Sequence, residues 1–511
     1  MTSRSHRPLA ALAIQALVAT SCLTLGANAV PAAAQAPAAN TALSPEALRQ
    51  DFAVLRSVLK EVHPGTERYV SAAALDAALD EAERGLDRPM TDRALLTASL
   101  RAVNTIRDGH TALTLSEAGE AALRESVLTP PFIAEISNGR LFVRRDLAPT
   151  ARSDISGREI AAINGRPVGE ILAAMTPLVA VDGAGTTRIP ARLSGGLRFN
   201  RLFGLLYGSS ERFEIQLANA EGSGVAFRSG LSVASLDQAW RERFPDDRAA
   251  RPPLELAFRD QDATAVLTVR AFENFMDESR SKTVGAAMDE AFDAIKARGA
   301  RVLVLDLRDN GGGQDGLGRL LFQHIADRPF DYYRGLYAKT LEPWSFAAYS
   351  QPPGPVPPGM FQSDAQGRLA MAENPNLGRH EPTTNRFAGR VIVLMNGNSF
   401  STTSEFLSVA HNAHRAVFVG EEAGGGYYGN TSGPVITVTL PNSGLVLRSP
   451  LLRYELAVDG FEPADRGVPP HFEVAPTVQD RIAGRDPVME RALDIARRRP
   501  DRDAMDPETA P

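Results

Sequence analysis

Val302-Leu303-Val304-Leu305-Asp306-Leu307-Arg308-Asp309-Asn310-Gly311-Gly312-Gly313 is the stretch that decides the fold. Its apolar run predicts a short strand covered on both faces, as at the centre of a mostly parallel sheet. Asp309-Asn310 ends the strand, and three glycines turn the chain. Without a Cβ, such a turn lets backbone N–H groups face an anion or a developing oxyanion. From Gln314 to Ala326, Leu317, Leu320, Leu321 and Ile325 recur at helical spacing. The order is strand, glycine turn, helix; taken alone, it is also compatible with a plain crossover that carries no chemistry.

Outward from this stretch, composition sets the bounds. The chain has 511 residues, 43% hydrophobic and 23% charged, which suits a globular protein of several domains. A net charge of −6 argues against nucleic acid and against an anionic membrane surface. The start, Met1–Ala29, reads as a secretory signal: Arg4, His6 and Arg7, then the apolar run Leu9–Leu25, then Ala27-Asn28-Ala29 as a small-x-small cleavage site. Once it is cleaved, no transmembrane span is expected. The only cysteine, Cys22, lies inside it. Ala19-Thr20-Ser21-Cys22 is a poor lipoprotein box, so lipid anchoring at Cys22 is the less favoured alternative. A mature chain without cysteine excludes disulfides and thiolate metal sites, and suggests a periplasmic or secreted protein.

Residues 30–43 read as a disordered leader. Ser44-Pro45 starts a helix, and helical patterns run through Leu48–Val62, Ser71–Gly85 and Asp92–Thr105, a small helical domain over residues 44–125. It ends in Asp108-Gly109-His110-Thr111 and the strand Ala112–Leu115. Residues 130–235 change character. A hairpin is expected around Asn138-Gly139, then a strand, the turn Asn164-Gly165, and a helix entered at Pro167-Val168. That order resembles the PDZ module, which takes extended peptides on a sheet edge; an insert without a ligand fits as well. The β/α pattern occupies residues 255–480. Within it, Leu341–Arg390 is too long for a bland connection and reads as a Pro-rich insertion or lid beside the site. Residues 481–511 give a terminal helix and a polar tail.

Three residues could carry chemistry. Ser401 follows the strand Val391–Met395 and the turn Asn396–Phe400, at the start of a helix whose free N–H groups favour an alkoxide or an oxyanion. The competing reading makes Thr402-Thr403-Ser404-Glu405 a capping box with Ser401 a bystander. His110, at a glycine-bearing junction, could act as a base near neutral pH or be structural. Glu462, in Gly460-Phe461-Glu462-Pro463, is unremarkable alone.

Together, DLRDNGGG, NGNSFSTTSEF, VFVGEEAGGG and the GVPP end resemble the carboxyl-terminal processing peptidases, in family order across roughly residues 45–475. The resemblance implies an α/β protein (α+β overall) with a ClpP/crotonase-like β-α catalytic core, an N-terminal helical domain and a PDZ-like insert. It also implies a serine nucleophile acting on a peptide or protein substrate. One branch of the family, the tail-specific proteases, uses a Ser–Lys dyad with the lysine in the second glycine loop. Here that loop reads Gly424-Gly425-Gly426, and the lysines are Lys60, Lys282, Lys296 and Lys339. The other branch, similar to the tricorn core, uses Ser, His and Glu, which places Ser401 as nucleophile, His110 as base and Glu462 as the group that orients it. The resemblance further implies an oxyanion hole from Gly312 (or Gly311) and Thr402, and substrate binding at Gly424, Gly425, Gly426 and Tyr427. A register one residue later would select Thr402 as nucleophile. No cofactor and no metal are expected, and a homo-oligomer is compatible with the sequence. Two alternatives stand beside the peptidase: a catalytically silent peptide- or ligand-binding protein on the same fold, and an esterase using the same triad.

Overall fold

The computed structural model describes residues 40–149, 153–218, 224–259, 263–273, 283–351, 354 and 356–498. The segment Met1–Ala29 with Cys22, residues 30–39 of the leader and the tail from 499 lie outside them. Among the described residues, no helix is long and apolar enough to cross a membrane.

The fold is mixed α/β. Its six-stranded sheet runs in the order Leu254–Arg259, Thr264–Val269, Val302–Asp306, Arg390–Met395, Val417–Gly420, Phe472–Glu473. All neighbours are parallel except the first pair. The strand Val302–Asp306 is central and covered on both faces, as its unbroken apolar run requires. Leu303 and Leu305 face Met288, Leu321, Phe406 and Leu407, from the helices Val284–Ala297, Asp315–Gln323 and Thr402–Asn412. Val304 faces Val488, Ala492 and Ile495 of the last helix, Pro487–Arg497. Arg308 ties that helix to the glycine turn, pairing with Asp306 at 2.7 Å and with Asp486 at 2.7 Å.

The helices Pro45–Glu61, Ala72–Arg84 and Asp92–Val103 begin at side-chain caps from Ser44, Ser71 and Thr91. Next comes an antiparallel sheet, Val225–Ser229, Arg212–Leu217, Glu159–Ile163, Arg140–Asp146, Phe132–Ser137. Both Asn-Gly turns form with positive φ at each residue: Asn138 +49° and Gly139 +70°, Asn164 +49° and Gly165 +74°. That geometry matches the strand twist of a two-residue hairpin. These helices and this sheet share one hydrophobic core, with Phe52, Leu95, Phe132, Leu141, Ile436 and Leu447 in it.

A third sheet joins the halves of the molecule. The long hairpin Thr431–Thr439 with Val446–Leu456 is flanked by Tyr333–Ala338, and Ala112–Thr114 pairs with Val446–Arg448. The stretch Leu341–Arg390 is not a free-standing excursion. Its strands Phe361–Ser363 and Leu369–Met371 extend this sheet, Ser350–Gln351 pairs with Thr437–Val438, and Phe346 is 2% exposed in the helical core.

Candidate active site

Ser401 stands between the strand Arg390–Met395 and the helix Thr402–Asn412, with φ +57° and ψ −129°. A non-glycine residue there is strained by about 1–3 kcal/mol and persists only when its surroundings hold it. Here they do. The Ser399 hydroxyl donates to Leu307 O at 2.8 Å, and the Phe400 N–H donates to Asn310 O at 3.0 Å. Both acceptors belong to the strand and turn that opened the sequence reading. The capping box does not form: Glu405 accepts from the Tyr333 hydroxyl (2.6 Å) and from Asn430 (2.8 Å), while the Thr402 hydroxyl donates to Gly313 O (2.8 Å). The Ser401 hydroxyl is left to other partners.

Its partner is His110. Nε2 lies 3.0 Å from Ser401 Oγ, across 291 positions of sequence. The imidazole stacks on Phe400 with centroids 4.8 Å apart, and the Arg188 guanidinium sits 3.8 Å from the centre of the same ring. Burial pushes the Arg188 guanidinium down to about 9. The strand pairing of Ala112–Thr114, two residues downstream, fixes where His110 falls.

The base of the loop is held by Asp108, which is 5% exposed. Its Oδ2 accepts from Thr111 (2.5 Å) and faces His63 Nε2 (2.8 Å); its Oδ1 accepts from Thr431 (2.7 Å) and the His110 N–H (3.3 Å). The Gly65 N–H donates to His63 Nδ1, so His63 carries its proton on Nε2 and gives it to Asp108. Burial alone would raise the Asp108 carboxyl; the hydrogen bond from His63, aided by His110 and Thr111, outweighs it and holds it well below the usual range. A second carboxylate, Asp182, is 4% exposed. It accepts from the Gly109 N–H at 2.7 Å and the Gly426 N–H at 3.4 Å. Burial raises its carboxyl, against the pull of His110. One ligand atom each from Asp108, His110 and Asp182 lie within 4.8 Å of one another, the one such cluster among the described residues.

The other expected residues fall as follows. Gly312 has φ +100° and lies against Ser401, leaving no room for a Cβ. Its own N–H, expected to face an oxyanion, instead donates to Asn310 Oδ1 at 2.9 Å. Gly311 is exposed beside it. The Thr402 N–H, first of its helix, has no protein acceptor among the described residues. Gly424, Gly425 and Gly426 are buried, the first two against Gly397, Arg188 and Ser404 and the third against Tyr69, so the loop is a close-packed floor. Tyr427 belongs to the core: it is 1% exposed, stacks on Phe461 at 4.0 Å, and its hydroxyl meets His411 Nδ1 at 3.0 Å. Large aromatic area favours burial, and the flanking glycines let the chain turn inward there. Glu462 is not brought to the pair. It is exposed, and its side chain has no hydrogen bond or ion pair among the described residues. The sequence reading did not single out Asp182, in Val181-Asp182-Gly183, because no local pattern marks it; only the fold shows that Gly183 N–H bonds Arg107 O and Ala184 N–H bonds Asp465 O, knotting three loops at the site.

Residues 263–474 match the model of peptidase family S41. Among solved structures, the chain is similar to mature CPAF complexed with lactacystin (TM-score 0.61, 13% identity, covering 88% of this chain and 98% of that one). It is likewise similar to mature CPAF (TM-score 0.57, 14% identity, 88% and 96%). The photosystem II D1 C-terminal processing protease matches at TM-score 0.40 and 16% identity, over 86% and 96%. No curated protein matches the sequence.

Proposed function

We propose that this chain is an exported serine endopeptidase that cuts peptide bonds through an acyl-enzyme. The observation that carries the reading is the 3.0 Å approach of His110 Nε2 to the hydroxyl of a strained Ser401. Ser401 Oγ attacks the scissile carbonyl carbon as His110 Nε2 takes its proton. The tetrahedral oxyanion lies against the Thr402 N–H, beside the glycine turn at Gly311. On collapse, His110 returns the proton to the leaving amine, and water then hydrolyses the ester by the same route. Export rests on the basic, apolar and small-residue pattern of Met1–Ala29.

A fluorophosphonate probe tests this reading. Ser401 is the expected site of modification by mass spectrometry, and His110→Ala is expected to abolish it. Labelling at Thr402, or labelling that is indifferent to His110, overturns the assignment.

A further inference from the structure

For Nε2 of His110 to accept the Ser401 proton, the neutral ring must carry its own proton on Nδ1. That Nδ1 is buried and has no hydrogen-bond partner among the described residues. A buried donor without an acceptor is costly, so the ring needs a carboxylate close by. Two are in reach. Asp108 Oδ1 stands 4.0 Å from Nδ1, but Asp108 already receives four donors: Thr111, His63, Thr431 and the His110 N–H. A carboxylate offers about four lone-pair sites, so Asp108 is saturated. Among the described residues, Asp182 receives only the N–H groups of Gly109 and Gly426. It has acceptor capacity to spare, and it is anchored to the residue next to His110.

We propose that Asp182 is the positioning residue of this site, taking the Nδ1–H of His110 and stabilising the imidazolium, the role the sequence resemblance gives to Glu462. The inference rests on the Ser401–His110 reading above. One ring nitrogen of His110 and one carboxylate oxygen of Asp182 lie within 4.8 Å of each other, a gap that side-chain rotation has to close, and the Asp182 Oδ1 bond to the Gly109 N–H holds the loop in register. The groups facing the imidazole are then Asp108 from its own loop, Ser401 from the helix start, and Asp182 from the 181–185 loop. Arg68 and Tyr69 stand behind Asp182.

The test uses the full mature chain and a peptide amide substrate. Asp182→Asn keeps an acceptor for the Gly109 N–H but removes the charge. It is expected to lower kcat by about 10²-fold or more, to change KM little, and to shift the acidic limb of kcat/KM to lower pH, because an anion beside His110 no longer favours the charged ring. Glu462→Gln is the comparison. Wild-type kcat and an unmoved limb in Asp182→Asn, or a larger loss in Glu462→Gln, overturns the inference while leaving Ser401 labelling intact. Absence of that labelling in the wild type instead overturns the serine reading itself. A second measurement needs no variant: histidine-labelled wild-type protein is expected to show a His110 Nδ1–H proton resonance, far downfield and slow to exchange. A His110 ring that instead carries its proton on Nε2 overturns the inference.

Discussion

A Cβ added to Gly312 would fall 2.7 Å from the Cβ of Ser401 and 2.9 Å from the Thr402 nitrogen. The glycine turn after the central strand thus forms a wall against the nucleophile, and its φ of +100° is one that L side chains rarely adopt. Gly312→Ala is therefore expected to displace Ser401 from His110. Fluorophosphonate labelling of folded protein should fall by on the order of 10²-fold, the scale of a misplacement near 1 Å. Labelling at the wild-type rate would show that the wall yields.

Arg308 bridges Asp306 beneath the turn and Asp486 at the start of the last helix, making two hydrogen bonds to each. Asp306 is 9% exposed, so removing its partner leaves a nearly buried charge. Arg308→Ala should destabilise the fold by about 3–5 kcal/mol. Chemical denaturation reads this, and a loss under about 1 kcal/mol would mean that water replaces the guanidinium.

Glu405 gives the pH signature of the core. Burial, then the charge of Asp315, push its carboxyl from 4.5 up to about 7. Between those values the folded protein holds a proton that the unfolded chain has released. This contribution to stability is complete below about pH 4.5 and is lost as pH rises through about 7, on the order of 3 kcal/mol over the window. Glu405→Gln is expected to raise the thermal midpoint at pH 8 relative to wild type and to change it little at pH 4.5. Equal effects at both would place the Glu405 titration elsewhere.

Chelation should leave turnover unchanged. Asp108, His110 and Asp182 are clustered, yet the four donors on Asp108 leave it no free lone pair for an ion. Turnover lost in EDTA and restored by a divalent ion would contradict this.

Much of the fold was legible in local signals. Val302–Asp306 alternates its contacts to both sheet faces, the Asn-Gly turns carry their φ preference in their composition, and Ser44 caps the helix it was expected to cap. The helices Glu117–Ser126 and Val233–Arg243 were not, because each buries few apolar side chains, Leu123 in the first and Val233, Leu236 and Trp240 in the second. At the site, sequence brought forward Ser401 and His110 because each sits at an element boundary with glycine or a strand beside it. The strain at Ser401 has no sequence signature, as φ is imposed by bonds to Leu307 and Asn310. Tyr427 looked like a loop aromatic, and its burial depends on Phe461 and His411 from distant parts of the chain. Asp182 is identifiable only by what surrounds it, which one sequence cannot show.

The pairing of Ala112–Thr114 with Val446–Arg448 has a consequence in time. His110 is made early and Ser401 late, and the strand that locates His110 needs a hairpin partner made later still. A chain emerging from the ribosome or threading through a translocation pore holds both reactive groups far apart until nearly its whole length has arrived. The topology is therefore its own safety catch: the meeting of Ser401 and His110 is tied to completion of the fold.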